Sequence, residues 1–337
     1  TFKIFFLSFF LPFPSVPTYR SAFGKLRAIE KKTFMAVVDQ IAATIEGFGL
    51  SDLFPSLKFI PLVTGYRAKL MALHNRADSL LEEIIRQHRD KADRKQKRHN
   101  DDDDEIEDIV DILLSLQRIG DLPLPLATDD IKAVILDVFL GGMETSATTI
   151  EWAMSELIQN PNVLRLAQEE VRQVFGDKRN VREDQLHELT YLDAVIKESM
   201  RMHPPAPVLL PRETRETVEI NGFVIPAKTR VIVNAWAIGR DSSYWIDPEK
   251  FYPERFLNSS IDYKGAHFEY IPFGAGRRIC PGMFFGMANL QLGLANLLLH
   301  FDWKIPDGLQ HLDLMEQSGL SVSSKKLLRL IPTVASN

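Results

Sequence analysis

Cysteine is all but missing: Cys280 is the single one among 337 residues. One thiol cannot close an intrachain disulfide or build a Cys-based zinc site, so a disulfide-stapled secreted domain and a zinc module are both excluded. Cys280 is then an inert core residue, a reactive thiol or one ligand to a metal. An excess of basic charge is missing too. Lys plus Arg number 40 and Asp plus Glu number 45, a formal charge of −5, and no basic stripe offers a nucleic-acid surface. Long hydrophobic runs are short supply. The apolar run Ile4 to Phe13 is about ten residues, half of the roughly 20 that a bilayer requires. One lysine precedes it, as in a signal segment, but no small-residue cleavage site follows. The chain begins with Thr1, and residues 1–17 are expected to be an unassigned hydrophobic stretch at a truncated end. No Gly-Lys-Ser/Thr is present, which excludes a P-loop.

What is there describes a folded, mainly helical chain. Apolar residues at 45% and charged residues at 25% exclude disorder, collagen and coiled coil as whole-chain descriptions. The length allows one large domain or two ordinary ones. Phe34, Val37, Val38, Ile41 and Ile45 recur at three- and four-residue spacing, which predicts a helix within 22–49. Leu70, Leu73, Ala77, Leu80, Leu81, Ile84 and Ile85 predict another over 66–88. The basic run 86–98 and acidic run 101–108 read as a solvated inter-helix loop. A short helix is expected over 109–116, a turn-rich break at 121–125, and a long apolar helix from about Asp129 to Asn160, started by a Thr128 or Asp129 cap and stopped by Pro161. Helices follow over 161–173, 192–203 and 282–300. Residues 217–223 and 229–235 read as a hairpin about Asn221-Gly222, and 320–332 as terminal strands.

The chemistry concentrates in Pro272 to Gly282, PFGAGRRICPG. Cys280 stands just before a helix start, where free N–H groups and the dipole favour an anion, so a thiolate is stabilised. Gly274 and Gly276 permit a tight loop whose backbone can approach a flat ligand. Arg278 can reach a carboxylate on that ligand. A lone thiolate presented in this way suits one axial bond to haem iron. The competing readings are a core cysteine, and a dinucleotide loop that Ile279 spoils by standing where the third glycine would be.

Phe273-x-x-Gly276-x-Arg278-x-Cys280-x-Gly282 resembles the cysteine-ligand signature of the cytochrome P450 haem-thiolate monooxygenases. Three further segments resemble the family's other signatures in its order: Gly141-Gly142-Met143-Glu144-Thr145-Ser146 its oxygen-activation motif, Glu198-Ser199-Met200-Arg201 its Glu-x-x-Arg helix, and Phe251-Tyr252-Pro253-Glu254-Arg255-Phe256 its Pro-Glu-Arg-Phe segment. The texture, with MHPPAP and LLPRE, is most similar to plant microsomal A-type members. The resemblance runs from about Ser21 to Pro332 and implies a mainly α fold with small β-sheets, lacking the family's amino-terminal portion, with residues 18–337 forming a partial P450 domain.

That resemblance implies haem b held by Cys280 as metal ligand, with Pro272, Phe273, Gly274, Arg278, Ile279, Gly282, Arg212, Gly141 and Gly142 around it. It implies that Thr145 and Glu144 manage proton delivery during oxygen activation. Gly141 and Thr145 are four apart and share a helical face; the plainer alternative is a Thr145 hydroxyl bonded back to the carbonyl of residue 141. Glu198, Arg201 and Arg255 are expected to form a buried scaffold triad, against the alternative of surface ion pairs of little worth. Residues 208–210 and 319–322 are expected to line the substrate side. The implied activity inserts one oxygen atom from O2 into a small lipophilic molecule, with terpenoids as the class that similarity alone implies, and takes electrons from NADPH through a cytochrome P450 reductase at the cytosolic face of the endoplasmic reticulum membrane. An inactive fragment without stable haem, and a haem-thiolate isomerase or dehydratase, are the alternatives.

Overall fold

In this computed structural model the described residues are 5–6, 28–45, 64–98, 108–176, 180–306, 312, 314–317, 321–326 and 328–335. The break at 53–62, the acidic run 101–107, residues 319–320 and most of the 4–13 run lie outside them. The chain divides into two compact units, Pro12–Glu144, and Thr145–Asn337 together with Thr1–Leu11.

The first unit is helical. It contains α1 (Ala28–Ile45), α2 (Tyr66–Arg98), α3 (Ile109–Ile119) and the beginning of α4 (Thr128–Gln159). Phe34, Val38, Leu81, Ile84, Ile85, Val110, Leu114, Ile131, Ile135 and Phe139 form its core, the product of three- and four-residue apolar spacing on each helix. Helix α2 runs ten residues beyond its expected end. The basic run 86–98 is thus helix rather than loop, because Lys, Arg and Gln are good helix formers. Arg86 also pairs with Glu83 at 2.6 Å and Asp90 at 3.8 Å along one face. Helix α3 opens on a capping box, in which the Asp111 N–H donates to the Asp108 carboxylate at 3.0 Å, and closes on left-handed Gly120. Lys132 of α4 meets Asp78 at 2.8 Å and Glu82 at 2.7 Å on α2. Burial of His88 pushes its imidazolium down, but the Asp108 carboxylate at 3.0 Å and the Ile84 carbonyl outweigh this and raise its pKa.

The second unit holds the rest of α4, then α5 (Pro161–Phe175), α6 (Thr190–Met202), the four-residue α7 (Ala235–Ile238) and α8 (Met283–His300). Ile150, Ala153, Met154 and Leu157 of α4 pack with Ala167, Val171 and Phe175 of α5, Leu192, Val195 and Ile196 of α6, and Leu290, Leu294 and Leu298 of α8. By length and composition α4 could cross a membrane. Ile131, Ile135 and Phe139 lie in the first core, and Ile150, Ala153, Met154 and Leu157 in the second. Glu170 of α5 caps α6 from outside, its carboxylate accepting from the N–H groups of Tyr191 at 2.7 Å and Leu192 at 2.8 Å.

Small antiparallel sheets complete this unit. Strands β3 (Val218–Ile220) and β4 (Phe223–Ile225) form a hairpin about Asn221 and Gly222, both at positive φ, as a type I′ turn demands. The expected partner strand beyond Thr229 does not join it. The Asn-Gly turn closes within two residues, so Phe223–Ile225 takes that place. Strand β5 (Arg230–Val231) pairs with β2 (Arg212–Glu213) instead. Strand β6 (Phe301–Lys304), β7 (Glu316–Gln317), β8 (Ser323–Ser324) and β9 (Arg329–Val334) follow; β6 pairs with β9, and β7 with β8. Strand β1 (Phe5–Phe6) pairs with Arg329 and Leu330 of β9.

Candidate functional site

The loop before α8 is folded on itself. The Gly274 N–H donates to the Ile271 carbonyl at 2.9 Å, the Ile279 N–H to the Gly276 carbonyl at 3.1 Å, and the Cys280 N–H to the Phe273 carbonyl at 3.0 Å. These bonds need Gly274 and Gly276 at φ of 73° and 71°, a region that L side chains rarely enter. A Cβ on Gly276 would meet no neighbouring atom within 4 Å, and one on Gly274 would find only Leu209 Cδ1 at 3.9 Å. The loop therefore presents an open, side-chain-free surface. Half-buried Cys280 stands at its end as a free thiol, three residues ahead of α8, whose first N–H groups lack intrahelical partners. The Phe273 ring packs edge-on to Tyr263 at 5.5 Å, and Ile279 is backed by Gly265.

The structure brings the sequence-predicted residues of this unit together. Arg212 of β2 donates to the Arg278 carbonyl at 3.4 Å, which sets two guanidinium-bearing residues beside the cysteine loop. Pro272, Phe273, Gly274, Ile279 and Gly282 all belong to that loop, and a Cβ on Gly282 would lie 3.9 Å from Cys280 Sγ. Leu209 reaches the same loop from a left-handed backbone, φ 48°, a strained conformation for a branched side chain.

Gly141, Gly142 and Glu144 lie on the α4 segment of the first unit, and Thr145 begins the second. A Cβ on Gly141 would meet nothing within 4 Å outside the helix's own backbone, so its face is clear. One turn beyond, the Thr149 hydroxyl donates to the Thr145 carbonyl at 2.8 Å.

Glu198, Arg201 and Arg255 form the expected triad. The Arg201 Nε and Nη2 groups donate to Glu198 at 2.8 and 2.9 Å, and Arg255 Nε donates at 3.0 Å. Tyr252 N–H donates to the same carboxylate at 2.8 Å. Arg201 spends its remaining donors on the carbonyls of Gly239 at 2.6 Å, Pro248 at 2.8 Å and Lys250 at 3.3 Å. The Glu198 and Arg201 side chains are 0% exposed, so the surface-pair alternative fails. The arrangement ties α6 to the segment 239–256. Its partners lie within 239–256, outside the cysteine loop, which makes it scaffold.

Sequence reasoning missed three supports. Gly265, at φ +82°, lets the chain pass so close to the cysteine loop that a Cβ would sit 2.9 Å from Ile279 Cδ1 and 3.3 Å from Ala275 Cα. Gly239 is pressed on the Arg201 carbonyl, 2.7 Å from where its Cβ would be. An isolated glycine carries little signal by itself. The third is a buried polar group around Trp152 and His203, whose signal is the seven-residue spacing of Trp152 from Thr145.

The donor set fits a haem: one thiol without a disulfide partner, glycines that clear a planar surface, and two arginines for two carboxylates. Cys280 would hold the iron, and Arg212 and Arg278 the propionates.

A sequence model of the family described as Cytochrome P450 matches residues 14–331. Tabersonine 16-hydroxylase 2 of Catharanthus roseus is 47% identical over 319 residues, 94% of this chain and 62% of that protein. Desmethyl-deoxy-podophyllotoxin synthase of Sinopodophyllum hexandrum is 50% identical over 317 residues, again 94% and 62%. Premnaspirodiene oxygenase of Hyoscyamus muticus is 46% identical over 325 residues, 95% and 64%. The chain thus spans less than two thirds of the length of these relatives. Among solved structures, a zebrafish cytochrome P450 with progesterone superposes with a TM-score of 0.80 at 27% identity, over 98% of this chain and 72% of that one. With the folded cysteine loop, the buried Glu198–Arg201–Arg255 triad and the α4 glycines in the family's order, these likenesses make the chain a member of the cytochrome P450 family.

Proposed function

We propose that the chain carries the haem-binding part of a plant monooxygenase that inserts one atom of O2 into a small lipophilic molecule of terpenoid or alkaloid type. Electrons would come from NADPH through a cytochrome P450 reductase, at the cytosolic face of the endoplasmic reticulum. Names of relatives such as tabersonine 16-hydroxylase and premnaspirodiene oxygenase support the substrate class. The single observation that carries the reading is Cys280, a free, half-buried thiol at the end of a glycine-cleared loop before a helix start.

When bound, the haem supplies the oxygen-activating redox chemistry, made possible by thiolate ligation. The chain's own residues do the rest. Cys280, three residues ahead of α8, would supply the sulfur ligand. Gly274 and Gly276 leave the ligand face flat. Arg212 and Arg278 would neutralise carboxylates on the bound group. Thr145 supplies a hydroxyl that can hand on a proton, and Glu144 beside it a carboxylate that can take one from solvent.

The test is the absorption spectrum of the reduced, carbon-monoxide-treated chain. A long-wavelength Soret band of thiolate-ligated haem is expected for the native sequence, and its loss for Cys280→Ala. Retention of that band in Cys280→Ala would sink the assignment, and a native chain that takes up no haem would support the inactive-fragment reading.

A further inference from the structure

Asparagine is followed by glycine at one place in the sequence, Asn221-Gly222. The pair makes the two-residue turn of the β3–β4 hairpin, at φ of 50° and 81°. Both residues are exposed, and no residue of 218–225 is buried. A Cβ on Gly222 would meet nothing within 4 Å, so the Gly222 nitrogen is flanked by a bare Cα in open space. The strands are joined by the pairs Val218 with Ile225, Glu219 with Val224 and Ile220 with Phe223, and a two-stranded hairpin without burial is marginally stable. Its base is fastened better. The Lys228 N–H donates to the Thr214 carbonyl at 2.8 Å, the Thr214 N–H to the Thr229 carbonyl at 3.0 Å, and the Thr214 hydroxyl to the Pro226 carbonyl at 2.7 Å. The hairpin therefore frays from the turn.

Two effects compete at Asn221. The left-handed turn fixes the peptide plane between 221 and 222, and attack of the Gly222 nitrogen on the Asn221 side chain requires that plane to rotate. Fraying releases it. The open form of so marginal a hairpin is about 5–30-fold rarer than the closed one, which slows the attack without stopping it. Other asparagines lack one condition or another. Asn160 precedes Pro161, whose nitrogen has no hydrogen. Asn234 is engaged as a helix cap, its Oδ1 accepting from the Ala237 N–H at 2.9 Å. Asn258 is the nearest comparison, exposed and left-handed at φ 56°, but it precedes Ser259, whose Cβ crowds the attacking nitrogen.

We propose that Asn221 is a site of spontaneous covalent modification, converted to aspartate and isoaspartate by the backbone nitrogen of Gly222, with loss of the β3–β4 pairing. That nitrogen bonds to Asn221 Cγ, the bond from Cγ to the side-chain amide nitrogen breaks, and the Gly222 N–H proton leaves with it as ammonia. Water then opens the cyclic imide at either carbonyl. One opening gives aspartate. The other carries the main chain through the side chain and gives isoaspartate, longer by one backbone carbon. The balance is water in and ammonia out, and no oxidant or further reactant is needed. Hairpin register is set by turn length, so an isoaspartate at 221 unpairs β3 from β4, while the fastened base and the β2–β5 pairs stay. The reaction involves neither the cysteine loop nor a haem, so it is independent of the monooxygenase reading.

The test incubates the full chain at mildly alkaline pH and follows the peptides that span 221 and 258. Conversion is read as the mass change when a hydroxyl replaces an amino group, and isoaspartate as methyl transfer from S-adenosylmethionine by an isoaspartyl methyltransferase. Conversion at 221 is expected to outrun that at 258, and to quicken about 5–30-fold when guanidinium chloride opens the hairpin. In the converted chain the amides of 218–225 should exchange at least about fivefold faster, with those of 212–214 and 229–231 unchanged. Asn221→Gln, whose extra methylene disfavours the ring, should show neither change. Equal conversion at 221 and 258, an Asn221 that converts only in denaturant, or conversion that leaves exchange in 218–225 unaltered would each overturn the inference.

Discussion

Replacing Glu198 by Gln removes one charge and almost no volume, yet it should be among the most damaging single changes in the second unit. The Glu198 carboxylate accepts from Arg201 twice, at 2.8 and 2.9 Å, from Arg255 at 3.0 Å and from the Tyr252 N–H at 2.8 Å. A glutamine amide offers one oxygen in place of two, and its NH2 would face a guanidinium donor. The Arg201 side chain is 0% exposed, so no water replaces the lost anion. Breaking a buried pair from one side costs about 3–5 kcal/mol, because the surviving charge is left uncompensated. For a domain of 150–250 residues, each kcal/mol moves the midpoint by about 2–4 °C, a fall of roughly 6–20 °C in all. The control is Glu169→Gln, which breaks the exposed Arg165–Glu169 pair at 2.7 Å and should cost no more than about 0.5 kcal/mol. Urea melts of both variants beside the native chain measure the difference. If Glu198→Gln proved no worse than Glu169→Gln, burial would not be amplifying this interaction, and the triad's scaffold role would be refuted.

Other expectations follow from the same geometry. Gly265→Ala would force a Cβ against Ile279 and the Ala275 backbone at φ +82°, so haem uptake by the refolded chain should fall well before secondary structure by circular dichroism does; unchanged uptake would show that the cysteine loop does not lean on Gly265. The His203–Glu316 pair should stabilise the fold in a pH window. Burial lowers the His203 pKa, but the Glu156 and Glu316 carboxylates outweigh it and raise the net value, so this contribution is full below the unfolded value of about 6.5 and is lost as pH rises through the folded one. His203 holds the Glu316 carboxyl below its ordinary range, so that contribution is present above about 4.3 and is lost as pH falls through the lowered value. The stability difference between the native chain and His203→Gln should therefore be largest at mildly acidic pH and shrink on the alkaline side; a pH-independent difference would contradict a charged His203. Gly222→Ala at φ +81° should destabilise the β3–β4 hairpin by about 1 kcal/mol, seen as faster amide exchange in 218–225, and equal exchange would contradict the I′ turn.

Periodicity located the helices well because each buries one face against its own unit. Phe34, Val38, Leu81, Ile84 and Ile85, picked out by spacing, all lie in the first core. The end of α2 was misplaced for a related reason. Among residues 86–94 only His88 is buried, and apolar spacing cannot register a helix maintained by propensity and by Glu83–Arg86–Asp90 pairing. Pairing between strands was the weakest inference. Two-residue strands such as β2 and β5 are too short to show alternation, so nothing in the chain announces that Arg230 will sit opposite Glu213. The cysteine loop was legible because its demands are local: two left-handed glycines, a thiol and a helix start within a dozen residues.

The tether at Trp152 was hidden for the opposite reason. Its partner Val322 lies 170 residues away, as Ser321 lies 173 from Thr148, and Trp152 itself reads as one more apolar residue of a core helix. Yet the bond uses a backbone carbonyl, which any residue at 322 provides. The fastening therefore does not depend on the side chain at that position. Val322→Ala and Val322→Phe should accordingly leave the 321–326 peptide exchanging at the native rate. Accelerated exchange in those two variants would mean that the side chain, and not the backbone bonds, holds the segment.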